Sequence, residues 1–324
     1  MRYMGNLDWQ EGDPTIGGWA YCEDDMSKPV EVVILADGKE LCAGKAQLYR
    51  QDLQDLEMHP TGLCGFEFSS FDHSACEAAL SIKAVIADSD HELNGSPHIN
   101  STKRKQLTTL VFIHIPKTAG TSFRQAMQKT IPGDRVLMDY GIEAKATSEL
   151  VKETTHTNQK ERLLTRMWDM KTEFFCGHFH ASVYRHLFGN DARWCTFLRD
   201  PVERVLSAYS HALLVNAHKG SLEAFCRKPL EQNKQSRLLR GTAIEDFFFF
   251  GLTERYIESI KMLEELTGLC LPVLRTNVGT NANDAPPVDP SLVNLIRELN
   301  QADVALYERA SDLFDGKVGS LARQ

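Results

Sequence analysis

The sequence predicts an α/β protein: a three-layer domain with a mostly parallel sheet, preceded by a small all-β, sandwich-like domain. Three observations carry that expectation. Residues 1–90 hold short β-rich runs separated by turn signals, with few helical patterns. From Leu107 onward, apolar runs of strand length alternate with longer stretches of helical periodicity. Thr108 to Phe123, TTLVFIHIPKTAGTSF, passes from an apolar strand through a loop of small residues into a helix. The expected division is an accessory β domain over 1–90, a linker over 91–106 and an α/β domain over 107–324.

In the first segment the strand candidates are Ile16–Cys22, Val30–Ala36, Glu40–Leu48, Gly65–Phe68 and Leu80–Ala87. Asp37-Gly38 lies between two of them and is a hairpin signal. Trp19 and Tyr49 have rings that could stack on a sugar, although in so small a domain such aromatics belong first to the core. Asp88 to Leu107 is polar and aperiodic, carries Gly95-Ser96-Pro97, and ends in Lys103-Arg104-Lys105. It reads as a linker with a solvated basic flank.

The α/β domain opens with a strand at Leu110–His114, then the loop, then a helix from Ser122 to about Lys129. Ser148–Met170 is charge-rich and helical, expected on the surface along much of its length. A short strand at Glu173–Cys176 leads to Gly177-His178-Phe179-His180 and a helix over Ala181–Phe188. Arg193–Leu198 is a buried-strand candidate. Asp200-Pro201 then starts a helix well, with Asp as N-cap and Pro at the first helical position. Val202, Val205, Leu206, Tyr209 and Leu213 give that helix an apolar stripe. Further helices are expected over Thr253–Leu266 and Pro290–Phe314. In such a domain ligands bind at the carboxyl ends of the parallel strands, where the polar clusters at Lys117, His178 and Arg199 all fall.

The chemistry of these clusters follows from residue type and place. A strand, a small-residue loop and a helix start form an anion cradle, because backbone N–H groups and the helix dipole face the ligand. This makes the domain P-loop-like. Lys117 adds a mobile positive charge, and Thr118, Thr121 and Ser122 add hydroxyls. The order differs from the Walker A loop, where Gly-Lys-Ser/Thr closes the loop; here the Lys follows Pro116 at its start. Arg199 at a strand end and Ser207 two turns into the next helix could converge on a second phosphate, or Arg199 could pair with Asp200 or Glu203. His178 is either a base or a backbone-bonded structural histidine. His114, His186, His211 and His218 read as structural or surface residues, and Arg275-Thr276-Asn277 as a loop cap or a distant nucleotide contact.

Composition narrows the partners. The chain has 324 residues, 42% hydrophobic and 25% charged, with a formal charge of −8. That argues against a nucleic-acid binder and tilts the acceptor away from a polyanion. No apolar run approaches the ~20 residues that span a bilayer; the Phe247–Phe250 block is far too short. Met1 to Asn6 shows no secretory signal pattern. The eight cysteines are scattered without CxxC or Cys/His ligand spacing, so reduced buried thiols in a cytosolic protein, and no metal, are expected.

PKTAGTSF together with FLRDPVERVLSAY resembles the two nucleotide motifs of sulfotransferases that use 3′-phosphoadenosine-5′-phosphosulfate (PAPS). The likeness is to the branch of heparan sulfate 2-O- and 6-O-sulfotransferases and their bacterial relatives. It spans roughly Thr108 to Phe314 and includes Asn233–Gly241 and Gly251–Tyr256. It implies that Lys117, Thr118, Ala119, Gly120, Thr121 and Ser122 hold the 5′-phosphosulfate, and that Arg199 and Ser207 hold the 3′-phosphate. It places the catalytic base at His178 and implies that Lys117 acts on the leaving phosphate. The 2-O-sulfotransferase pattern has a second histidine where this chain has Cys176; His180 is offset the other way. The reaction implied is sulfuryl transfer from PAPS to a hydroxyl of a carbohydrate or glycoconjugate, without a metal. Animal members carry a membrane anchor not seen here, which fits a bacterial cytoplasmic enzyme better. Residues 17–20, 49–53 and 65–68 resemble an accessory β domain that accompanies sugar-active catalytic domains in bacterial proteins. The alternatives are a P-loop-type ATP-dependent kinase, for which no Mg²⁺-binding Asp set is evident, and a non-catalytic glycan-binding scaffold.

Overall fold

A computed structural model describes residues 1–89, 91–100, 103, 108–155, 160–189, 192–274 and 289–321. Arg104, Lys105 and the Arg275-Thr276-Asn277 segment lie outside the described residues. The chain divides into two compact units, one of Met1–Leu107 with Asn158–Trp168, the other of Thr108–Thr157 with Asp169–Gln324.

The first unit is built from two antiparallel four-stranded sheets. Its elements are β1 (Tyr3–Leu7), β2 (Ile16–Cys22), β3 (Glu31–Ala36), β4 (Lys39–Lys45), β5 (Leu48–Tyr49), helix α1 (Gln51–Asp55), β6 (Leu63–Phe68), helix α2 (His73–Ala78), β7 (Ser81–Ile86) and β8 (His98–Ile99). One sheet has the order β1-β2-β6-β5, the other β4-β3-β7-β8. Alternation decides which residues meet. Val32, Ile34 and Ala36 of β3 and Ile82, Ala84 and Ile86 of β7 face one way, and they share a core with Leu7, Ile16, Ala20 and Phe66 of the other sheet. Asp37 and Gly38 both have positive φ, at 49° and 80°, so the β3–β4 hairpin turns as the Asp-Gly pair demands.

Two departures from the sequence pattern have physical causes. The run expected as one strand over Glu40–Leu48 is two strands in different sheets. The chain changes sheet at Ala46, which is buried and donates its N–H to Val30 O. The stretch expected as a linker is built into this unit as far as Ile99. Leu93 joins the core, Ser96 Oγ accepts from Ala84 N at 2.9 Å, and β8 pairs with β7. These residues are held by hydrogen bonds rather than by an apolar pattern, so their composition reads as loop.

The second unit is organised on a five-stranded parallel sheet of order β10-β11-β9-β12-β13. Its strands are β9 (Leu110–Ile113), β10 (Val136–Asp139), β11 (Phe174–Gly177), β12 (Arg193–Leu198) and β13 (Phe249–Leu252). Every residue of β9, β11 and β13 is buried, the signature of a sheet covered on both faces. The main helices here are α3 (Gly120–Thr130), α4 (Glu149–Thr155), α5 (Lys160–Asp169, grouped mostly with the first unit), α6 (Ala181–Phe188), α7 (Pro201–Leu214), α8 (Leu222–Cys226), α9 (Lys234–Leu238), α10 (Tyr256–Thr267), α11 (Pro290–Leu299) and α12 (Gln301–Leu321). The charge-rich stretch expected on the surface buries Val151, Leu163, Leu164 and Met167. The long C-terminal helix is two helices, because Asn300 leaves helical geometry to accept from Asn233 N at 2.8 Å and to donate to Ile296 O.

Sheet order places the site. β9 is the first strand of this unit, and later strands are added on both sides of it. Ile113 pairs with Gly177 of β11 and with Thr196 of β12. The loops leaving β11, β9 and β12 therefore diverge at one sheet edge, the place where ligands bind in this architecture.

Candidate active site

The loop after β9 is shaped by backbone. Lys117 and Ala119 both sit in the left-handed region, at φ 72° and 62°, conformations that a side chain makes costly. Ala119 is the N-cap of α3 and offers no side chain to its first N–H groups. The first N–H groups of a helix have no partner within the helix, and the helix dipole favours negative charge at that end. Thr118 does not face outward as a donor: its hydroxyl is buried and donates to Ile115 O at 2.9 Å, locking the loop. Ser122 is buried and Thr121 half-buried. The helix begins at Gly120, two residues earlier than the expected Ser122. Gly120 cannot be larger, because a Cβ there would lie 2.1 Å from His114 Cδ2.

Arg199 comes to this loop from the end of β12. Its guanidinium reaches Lys117 O at 3.3 Å and Glu203 Oε2 at 3.4 Å. Its backbone is clamped by the fully buried Gln235 amide, which accepts from Arg199 N at 3.0 Å and donates to Arg199 O at 2.8 Å. Gln235 is fixed in turn by the buried Asp303 carboxylate, which caps the start of α9 through Gln235 N and Ser236 N. Burial, with the neighbouring Arg199 charge, holds the Lys117 ammonium below its ordinary pKa. Two cations facing one loop, one depressing the other, concentrate positive potential there. Asp200 caps α7 through Val202 N and Glu203 N, with Pro201 next, as its sequence predicts. Ser207 stands two turns along α7, half-buried, with no hydrogen bond to Arg199 among the described residues.

His178 follows β11. Its Nδ1 lies 2.6 Å from His114 O. A carbonyl only accepts, so Nδ1 carries the proton and Nε2 is the basic nitrogen. One side of the ring packs on His114, centroids 4.5 Å apart, and on the edge of Tyr140 at 4.7 Å, while the residue remains open to solvent. This crowding lowers the His178 pKa; the Arg124 and Lys234 charges push the same way, against the backbone hydrogen bond. His178 is therefore neutral at pH 7. Its backbone N–H is held by Asp139 O at 2.9 Å. Gly177 permits that approach, since a Cβ there would lie 1.7 Å from the same oxygen.

His114 and Tyr140 extend the cluster. His114 Nδ1 and the Tyr140 hydroxyl are 2.8 Å apart. Burial, with smaller contributions from His178 and Arg124, pushes the His114 pKa down to about 3. The His114 ring thus lies between Gly120 at the cradle and the His178 ring. Cys176 is buried below, and desolvation pushes its thiol up to about 12, so it keeps its proton at neutral pH. His180 points elsewhere: its Nδ1 is 3.1 Å from Arg237 O.

The profile of the sulfotransferase family matches residues 102–275, more than half of the chain, and takes in the Lys117, His178 and Arg199 clusters. The chain belongs to the sulfotransferase family. Heparan-sulfate 6-O-sulfotransferase 2 of Danio rerio is 25% identical over 269 residues, 63% of this chain and 58% of that protein. The chain thus spans little more than half the length of that relative. Among solved structures, a sulfotransferase from Alicyclobacillus acidocaldarius matches with a TM-score of 0.36 and 16% identity, covering 62% of this chain and 94% of that one. Mouse sulfotransferase SULT7A1, complexed with PAP, matches with a TM-score of 0.30 and 11% identity, over 60% of this chain and 65% of that one.

The structure brings Arg199 onto the Lys117 loop and packs His178 on His114, whose ring also meets Gly120 at the start of α3. Sequence reasoning left out Tyr140, Arg124 and Gln235, and placed His114 outside the site. His114 carried a signal: it is the first residue after β9, hence at the sheet edge where the other clusters lie. Among the described residues no helix is long and apolar enough to cross a membrane, and no group of three or more His, Cys, Asp or Glu could hold a metal ion.

Proposed function

We propose that the sulfotransferase moves a sulfuryl group from PAPS to a hydroxyl of a carbohydrate or glycoconjugate, with residues 107–324 catalytic and residues 1–90 accessory. The observation that carries this reading is the His178 tautomer. Nδ1–H is committed to His114 O, so a neutral Nε2 stands ready near the loop that carries Lys117 and is met by Arg199. Nε2 takes the acceptor proton as the acceptor oxygen attacks sulfur. The new O–S bond forms as the bond from sulfur to the 5′-phosphate oxygen breaks, and the product nucleotide is 3′,5′-adenosine bisphosphate. Charge growing on the leaving phosphate is met by Lys117 and by the open N–H groups at the start of α3, help worth ~3 kcal/mol per donor. Arg199, with Ser207, takes the 3′-phosphate. Ala119, Gly120, Thr121 and Ser122 contribute backbone and hydroxyl donors; Thr118 contributes backbone alone, its hydroxyl being spent on Ile115 O.

A saccharide acceptor is supported by the heparan-sulfate sulfotransferase relative. The net negative charge favours a neutral or small acceptor over a sulfated polymer. Eight free cysteines, mostly buried, support a reducing compartment, and we assign the protein to a bacterial cytoplasm. Calorimetric titration tests the donor. Saturable binding of 3′,5′-adenosine bisphosphate in EDTA is expected. Binding of ATP with Mg²⁺ but not of the bisphosphate would replace this reading with a kinase, and binding of neither would leave a glycan-binding scaffold.

A further inference from the structure

The first unit encloses a cavity of about 500 Å³ that the transfer chemistry does not use. Its size lies within the ~300–1,000 Å³ of small-molecule sites. Buried Leu80 and Ile82 form its floor. Half-buried Trp9 and Phe71 form its walls, each ring packed on an imidazole: Trp9 edge-on to His98 at 5.0 Å, Phe71 on His73 at 4.2 Å. The wall is rigid. The Trp9 indole N–H donates to Asp13 O at 3.4 Å, and the Asp13 carboxylate accepts from Gln10 N at 2.9 Å.

Among the described residues the charged lining has one sign: Glu11, Asp13 and Glu77 are exposed at the rim, no lysine or arginine lines the cavity, and His73, His98 and Asn100 complete its polar groups. None of the three carboxylates is paired with a lysine or arginine among the described residues. Among the described residues His98 Nε2 has no hydrogen-bond partner; it is buried and stands 4.0 Å from Glu11 Oε2, with which it pairs when protonated.

Ring faces and carboxylates select the ligand by elimination. Apolar C–H faces of a pyranose pack on Trp and Phe. Carboxylates accept from hydroxyls, and more strongly from an ammonium group. The same carboxylates repel sulfate and uronate groups. We infer that this cavity binds a sugar unit bearing a free amine, its carbon face on Trp9 and Phe71 and its ammonium at the Glu11, Asp13 and Glu77 rim. The site lies outside the family match, which begins at residue 102, and does not depend on the donor assignment.

Titration of the whole chain at pH 7 with a β1→4 glucosamine oligosaccharide, its N-acetylated form and its N-sulfated form tests the inference. Saturable binding of the free amine at one site is expected, at least tenfold weaker for the N-acetyl form and undetectable for the N-sulfated form. Glu11→Gln with Glu77→Gln, both at exposed positions, should weaken binding at least fivefold, and Trp9→Ala should abolish it. Should Trp9→Ala lose its native circular dichroism, the glutamine pair still decides. Equal affinity for the N-acetylated sugar, binding that survives the glutamine pair, or no saturable binding of any form overturns the proposal.

Discussion

Arg199→Ala should separate the two phosphate sites. Among the described residues the guanidinium makes only long contacts, 3.3 Å to Lys117 O and 3.4 Å to Glu203 Oε2, so these neighbours do not consume it. A hydrogen bond to a charged group is worth ~1.5–3 kcal/mol net, which is ~10- to 150-fold in affinity. The exposed contact with Glu203 offsets ~0–1 kcal/mol at most. Calorimetry with two nucleotides reads the difference. The Kd for 3′,5′-adenosine bisphosphate should rise ~10- to 150-fold, and that for adenosine 5′-phosphate, which lacks the 3′ group, should stay nearly unchanged. Glu203→Gln removes the competing carboxylate and should tighten the bisphosphate by up to ~5-fold. Removing Arg199 also takes a repelling charge from Lys117, whose pKa should move back toward its ordinary value. Equal weakening of both nucleotides would refute the assignment, because Arg199 would then act only by holding the Lys117 loop.

His178→Ala should lower kcat by ~10²- to 10⁴-fold while calorimetry finds the bisphosphate affinity unchanged; a large affinity loss would make His178 structural. Since the folded pKa of His178 lies below its ordinary value of 6.5, the wild-type rate should be flat near pH 7 and fall as pH drops through that lowered value, and the residual rate of the variant should lose this limb. Gly120→Ala puts a Cβ 2.1 Å from His114 Cδ2 and should cost ~1–3 kcal/mol in denaturant unfolding, whereas Gly133→Ala, with nothing within 4 Å, should cost far less. His114 has a folded pKa of about 3 against 6.5, so its contribution to stability is complete above pH 6.5 and is lost as pH falls toward 3. The slope approaches ~1.4 kcal/mol per pH unit, and His114→Gln should flatten it in a pH series of urea midpoints.

The fold was legible wherever a local pattern determined it. Asp37-Gly38, Asp200-Pro201 and the apolar runs of β9 and β12 each carry their own instruction in adjacent residues. What was not legible depends on distant partners. Glu40–Leu48 reads as one continuous strand, yet the chain turns at Ala46, whose N–H goes to Val30 O, and its end pairs in the other sheet. Residues 91–99 have no apolar period and are ordered by pairing with β7 and by Ser96. Pro290 to Phe314 keeps one helical pattern through Asn300, and Asn233, far away in sequence, shows why the helix breaks there.

The site divides along the same line. Residue type and the strand ends mark Lys117, His178 and Arg199, but the chemistry of His178 depends on which ring nitrogen holds the proton. That is set by His114 O, 64 residues earlier, and the two meet only because β11 lies beside β9 with Gly177 opposite Ile113. The same register puts Cys176 in the sheet interior, where a thiol held near 12 cannot replace a second histidine as base. Thr118 teaches the converse lesson. In sequence it is one of three hydroxyls crowded into one loop, but in the fold its proton goes to Ile115 O, and the backbone on either side of it, at Lys117 and Ala119, is left-handed. In a cradle of this kind the small residues act through backbone geometry, so their side-chain chemistry overstates what they donate.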